Sequence, residues 1–172
     1  MSAQPTLFGE TSGATLDPSR CYRYDLWRTW DPNGPRCAWV MLNPSTADET
    51  EADPTIRRCI GYARAWGFGG VVVRNLFALR ATDPAALFAS TDPVGPDADR
   101  WLSDNLDGVG RVVVAWGTGR CPRLGDRWRR AAGLLAPRRP LCLRVAKDGQ
   151  PVHPLYQRGD LTPVAWQPPE EG

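Results

Sequence analysis

The chain predicts an α/β fold, a single three-layer domain with a mostly parallel central sheet and an N-terminal antiparallel edge hairpin. Three observations predict it. The runs AWVML (38–42), VVV (71–73) and VVVAW (112–116) are apolar at every position. Strands buried on both faces read this way, whereas half-exposed strands alternate. Segments with helical spacing of apolar residues stand between these runs, the pattern of crossover helices on a parallel sheet. Finally, 172 residues with 42% hydrophobic and 23% charged side chains make one ordinary domain, which buries roughly 70% of the surface its unfolded chain exposes.

Each element has a local cause. Residues 1–20 lack periodicity and are rich in Thr, Ser, Gly and Pro, which predicts a flexible N-terminal arm. CYRYDLWRTW (21–30) roughly alternates, DPNGP (31–35) is turn chemistry, and RCAWVMLN (36–43) is a β-type run. Together they predict the hairpin. A helix follows, with Asp53 as its cap, Pro54 at its first position and Gly67 at its end. Ile56, Ile60, Ala63 and Trp66 form its apolar face. GGVVVRNLFAL (69–79) is a buried strand running into a loop. Asp83 and Pro84 repeat the Asp-Pro helix start, and 95–106 is a further short helix. GRVVVAWG (110–117) is a strand, 123–136 a basic amphipathic helix, and RPLCLRV (139–145) another strand. The domain spans about 20–166, and 167–172 is a short tail.

Composition excludes several classes. No run of about 18 apolar residues is present, so no membrane-spanning helix is expected. Residues 1–20 have no basic n-region or apolar core, so no secretory signal is expected. Five scattered cysteines with no CxxC, and a single histidine, support neither a disulfide framework nor a zinc site. A reduced, cytoplasmic protein without a metal or cofactor is expected. The net charge is only +2, but residues 111–147 hold nine Arg and one Lys against one Asp. Such a segment suits either a phosphate backbone or a solvated helix face. Arg127, Arg129 and Arg130 are its candidate phosphate ligands.

Ligands of open parallel sheets bind beyond the carboxyl ends of the strands. Asn43-Pro44-Ser45-Thr46 follows the first apolar run. Asn75 stands just past the second, Trp116-Gly117-Thr118-Gly119 follows the third, and His153-Pro154 follows the last strand and its turn. Two amides, a Gly-rich loop and the only histidine are thereby expected at one edge. Taken singly, Asn43 and Asn75 also suit loop residues bound to local backbone, and Ser45 or Thr46 a helix cap.

The stretch MLNPSTADETEADPTIRRC, followed by NLFALRATDP, AWG and HPLY, resembles an uncharacterised bacterial and phage family of unknown function, over about residues 22–162. The same motifs are more distantly similar to the uracil-DNA glycosylase superfamily, which implies a uracil-DNA-glycosylase-like fold. Carried over residue by residue, the resemblance implies that Asn43 holds water and Asn75 reads an extruded base. It implies that His153 stabilises the departing base and that Leu155 stands near a residue wedged into the duplex. Phe77 is the candidate base-stacking aromatic, and Pro44, Ser45, Trp116 and Gly117 would line the pocket. Leu155-Tyr156-Gln157 replaces the usual Ser-rich loop, and Ser45 stands where an aromatic residue or glycine is usual.

The implied function is N-glycosidic hydrolysis in DNA, with DNA or a nucleotide as partner. Two alternatives remain: a non-catalytic nucleic-acid or nucleotide binding protein of this fold, and an enzyme acting on a small nucleotide.

Overall fold

The computed structural model describes residues 4–5, 10–45, 53–104, 106–118 and 124–170. Its strands are β1 (Gln4–Pro5), β2 (Thr11–Leu16), β3 (Arg23–Thr29), β4 (Arg36–Met41), β5 (Gly70–Asn75), β6 (Val109–Val114), β7 (Leu141–Cys142) and β8 (Val164–Ala165). Its α-helices are α1 (Pro54–Ala65), α2 (Pro84–Ala89), α3 (Ala98–Ser103) and α4 (Leu124–Leu135). One sheet runs in the order β1-β2-β3-β5-β4-β6-β7-β8.

The sheet is mixed. Its centre, β5-β4-β6-β7, is parallel, and the pairings on both flanks are antiparallel. This corrects the mostly parallel expectation. Part of the difference arises at the N-terminus, where Thr11–Leu16, expected within the flexible arm, pairs antiparallel with β3, and part at the other flank, where β8 pairs antiparallel with β7.

The expected hairpin is also corrected. Both of its strands form, but β5 inserts between them, antiparallel to β3 and parallel to β4. The reason is burial: Cys37, Ala38, Trp39 and Val40 are all at most 2% exposed, so β4 belongs in the sheet centre with a neighbour on each side. The 31–35 turn therefore crosses the start of β5. Trp30 and Asp31 both donate their backbone N–H to the Gly69 carbonyl at 2.9 Å. A Cβ on Gly69 would fall 2.3 Å from the Asp31 carbonyl oxygen, so only glycine admits this crossing.

Two helix layers cover the sheet. On one face α1 packs Ile56, Cys59, Tyr62 and Ala63 onto Trp39, Val71, Val73 and Leu26. Trp39 stacks on Trp66 with centroids 5.8 Å apart. On the other face α2, α3 and α4 supply Leu87, Leu102, Trp128 and Leu135 to Val72, Val112 and Val114. Asp53 caps α1 as its sequence predicts, accepting from the Ile56 N–H at 2.8 Å, and Pro54 opens the helix. Gly67, at φ +85°, turns the chain just past the helix end.

Candidate functional site

β4 lies between β5 and β6, and this placement makes the site. The connection from β4 to β5 carries α1 over one face of the sheet. The next, from β5 to β6, carries α2 and α3 over the other. Crossovers leaving in opposite directions open a crevice at the carboxyl ends of the strands between them. A cavity of about 200 Å³ occupies that place. Asn43, Ser45, Asn75, Trp116 and His153 all line it, so the structure brings together the expected amides, indole and imidazole.

Asn43 leaves β4 just before Pro44. Its Nδ2 donates to the carbonyls of Pro44 at 3.1 Å and Ala81 at 2.9 Å. Both amide hydrogens are thereby used, and only the acceptor Oδ1 remains. Pro44 is buried and acts through its carbonyl, which also takes the Ala81 N–H at 3.0 Å.

Asn75 is the last residue of β5, opposite Met41 in register. It is 6% exposed, and its Nδ2 has no hydrogen-bond partner among the described residues. An unmet buried donor costs about 1–3 kcal/mol.

Trp116 donates Nε1–H to Gln150 Oε1 at 2.8 Å and meets Trp166 edge-on at 5.1 Å. Its ring, held by these contacts, forms an apolar wall of the cavity. Gly117, at φ +91°, donates its N–H to Pro151 at 3.0 Å and so draws the 151–153 segment beside the end of β6.

His153 is half-buried in this segment. Its Nδ1 accepts the Leu155 N–H at 3.2 Å, so the proton of the neutral ring sits on Nε2. Burial pushes its pKa below 6.5, against the opposing pull of the Asp53 charge. The result is a neutral imidazole whose Nε2–H is free of the Leu155 contact. Helix α1 holds the following loop: Arg58 donates to the carbonyls of Pro154 (3.4 Å) and Gln157, and Tyr62 to that of Arg158.

Two charged residues complete the lining. Arg23, from β3, is 5% exposed, and burial pushes its pKa down to about 10 while Asp53 holds it up. It is a cation at neutral pH. Asp53 takes the Ser45 hydroxyl on Oδ2 at 3.0 Å and the Ile56 N–H on Oδ1. Sequence reasoning read Asp53 only as a cap and passed over Arg23. The usable signal for Arg23 was a charge embedded in an aromatic strand.

Other expected residues lie elsewhere. Phe77 is not among the described residues lining this cavity: it is 2% exposed and packs in the core layer under α2–α4. Its N–H is bonded to the Leu42 carbonyl at 2.9 Å, beyond the end of β5. Leu155 is half-buried and is not among the described residues lining the cavity; its contribution is its backbone N–H.

The candidate phosphate ligands of α4 stand apart from it: none of Arg127, Arg129 and Arg130 is among the described residues lining the cavity. Arg127 is 8% exposed, bonded through Nε to the Leu76 carbonyl and paired through Nη1 with Asp99. Arg130 pairs with the same Asp99 at 3.0 Å, and exposed Arg129 with Asp126 at 3.4 Å. The cause is the apolar stripe Trp128, Ala131, Ala132 and Leu135, which seats α4 on the opposite face of the sheet from α1. Thr46 and Gly119 lie outside the described residues.

The cavity thus presents a neutral N–H donor, an unmet amide donor, a buried cation, a carboxylate and an indole wall. Among the described residues no three His, Cys, Asp or Glu side chains are arranged to hold a metal ion. Among the described residues no helix is long and apolar enough to cross a membrane. No curated protein and no solved structure matches the chain. A family model described as protein of unknown function (DUF1643) matches residues 23–155, and the chain belongs to that family.

Proposed function

We propose that the cavity holds a nucleobase and that the protein hydrolyses an N-glycosidic bond in DNA, at a uracil-DNA-glycosylase-like site. The observation that carries this reading is the convergence of Asn43, Asn75 and His153 on one small cavity, with the Asn75 amide nitrogen buried and unmet. A volume near 200 Å³ equals roughly seven waters' share of liquid and falls below the range of about 300–1,000 Å³ typical of drug-sized pockets. One planar ring suits it. An amide pairs with the Watson–Crick edge of a base through one donor and one acceptor. A base extruded from its stack is read in just such a snug pocket. Cleavage leaves the base as an anion, and a neutral imidazole N–H aimed at its carbonyl oxygen stabilises that charge as it develops.

A second reading, an enzyme acting on a small nucleotide, is favoured by one observation: the arginine-rich helix does not line the cavity. One experiment separates the two. Base release is followed from duplex and single-stranded oligonucleotides carrying uracil, mismatched thymine or modified bases, and in parallel from free nucleosides and nucleotides. Release from oligonucleotides alone supports the DNA reading. Release from monomers alone replaces it with the second, and release from neither removes both.

A further inference from the structure

We infer that Asp53 is the general base of this site, a role that the glycosylase resemblance does not give it. The inference rests on the reading of the cavity as an N-glycosidic hydrolase. The resemblance assigns the water to Asn43, but a carboxamide is not basic, and both Asn43 amide hydrogens are held by backbone carbonyls. Asn43 can only accept a hydrogen bond from water. Asp53 lines the same cavity and is its one carboxylate among the described residues.

Its geometry suits the role. The Ile56 N–H occupies one site on Oδ1 and the Ser45 hydroxyl one site on Oδ2. An ionised carboxylate offers about four acceptor sites, so each oxygen retains one. The two donors fix the carboxylate's orientation without exhausting it. Buried Arg23 supplies the opposite charge in the same cavity. Asp83 provides a comparison within the molecule. It opens α2 with the same Asp-Pro start and caps through the Ala85 N–H at 2.9 Å, yet it is exposed and lies outside the cavity. Capping alone requires neither the Ser45 clamp nor a half-buried place in the cavity wall.

In the step, the Asp53 carboxylate takes one proton from a water molecule. The water oxygen forms a bond to C1′ of the sugar as the C1′–N bond breaks. The electron pair of that bond leaves on the base, whose carbonyl oxygen accepts the His153 Nε2–H. The proton then passes from Asp53 through solvent to the base nitrogen. The products are a neutral free base and an abasic sugar bearing a C1′ hydroxyl.

The test uses the full chain and labelled oligonucleotides, duplex and single-stranded, bearing uracil or mismatched thymine, with abasic sites scored by alkaline cleavage. Asp53→Asn keeps the shape and the cap. It is expected to lower kcat by about a hundredfold or more, with KM nearly unchanged, as loss of a general base does. In Asp53→Ala, added formate is expected to restore part of the rate, which a purely capping role would not allow. Asn at 53 with a wild-type rate overturns the inference. If the Asn variant does not fold, absence of formate rescue in folded Asp53→Ala overturns it instead. Both leave the hydrolase reading standing, because the wild type is active. A wild type that releases no base from any substrate overturns that reading and this inference together.

Discussion

The Leu155 N–H donates to His153 Nδ1 across 3.2 Å, and this one bond decides which nitrogen of the neutral imidazole carries the proton. The contact is local, two residues apart. Its effect is to pre-set the tautomer before any ligand arrives, so no reorganisation is needed as charge develops on a bound base.

The first prediction follows from it. His153→Ala removes the oriented donor, and the expected loss in kcat is on the order of a hundredfold or more. Oligonucleotide affinity and Tm are expected to stay close to wild type, since the ring is only half-buried. Single-turnover rates beside equilibrium binding check this. A drop in Tm with no specific loss of rate assigns His153 to packing.

Asn75 gives a prediction of opposite sign for stability and function. Its buried Nδ2 has no partner among the described residues, so an apolar side chain of similar size removes a penalty. Asn75→Leu is expected to hold or raise stability by about 1 kcal/mol, while abolishing recognition of the base. Thermal melts together with binding of free bases test the pair of outcomes. A clear fall in Tm contradicts it.

The pH dependence of stability is set by the direction of the His153 shift. Burial lowers its folded-state pKa below 6.5, so the unfolded chain takes up the proton first as the pH falls. Stability rises with pH wherever the unfolded state binds more protons. The contribution of the neutral ring is therefore complete above about pH 6.5 and declines as the pH falls from there toward the folded pKa. Protonation of Nδ1 also takes away the acceptor for the Leu155 N–H. Wild type is expected to lose more Tm than His153→Gln between about pH 7 and pH 5.5. Equal losses refute the assignment.

On α4, Arg127 and Arg129 are expected to part ways. Arg127→Ala strands the Leu76 carbonyl and one bond to Asp99, and should cost about 1.5–3 kcal/mol. Arg129→Ala, on the exposed side, should stay within about 0.5 kcal/mol. Denaturant midpoints measure both. If charge reversal at Arg129 and Arg130 leaves DNA affinity and its salt slope unchanged, the outer face of α4 is a solvated face and not a phosphate contact.

The strand crossing gives the last prediction. Gly69→Ala places a methyl group 2.3 Å from the Asp31 carbonyl oxygen, which is backbone and cannot swing away. Overpacking of this kind costs about 1–3 kcal/mol, or several degrees of Tm for a chain of this length. Gly61→Ala, where the added Cβ meets nothing within 4 Å, is the matched control in a helix and should be neutral or stabilising.

What the sequence determined by itself was local or statistical. Asp53-Pro54 starts α1 and Asp83-Pro84 starts α2 because a capping carboxylate and a fixed φ act within four residues. Continuous apolar runs identified β4, β5 and β6 as central strands, since only burial on both faces tolerates them. The rule that ligands gather beyond parallel strand ends then picked out Asn43, Asn75 and His153, which do share a cavity. Tertiary structure alone decided that β5 divides β3 from β4, because pairing partners are chosen by burial across dozens of residues. It alone decided that Arg23 enters the cavity from β3, and that Asp53, already spent as a cap in the sequence, turns its second oxygen to Ser45. The same holds for Arg127. A run of arginines reads as surface, and only the docking of Trp128, Ala131, Ala132 and Leu135 against the sheet shows which guanidinium must be carried inside.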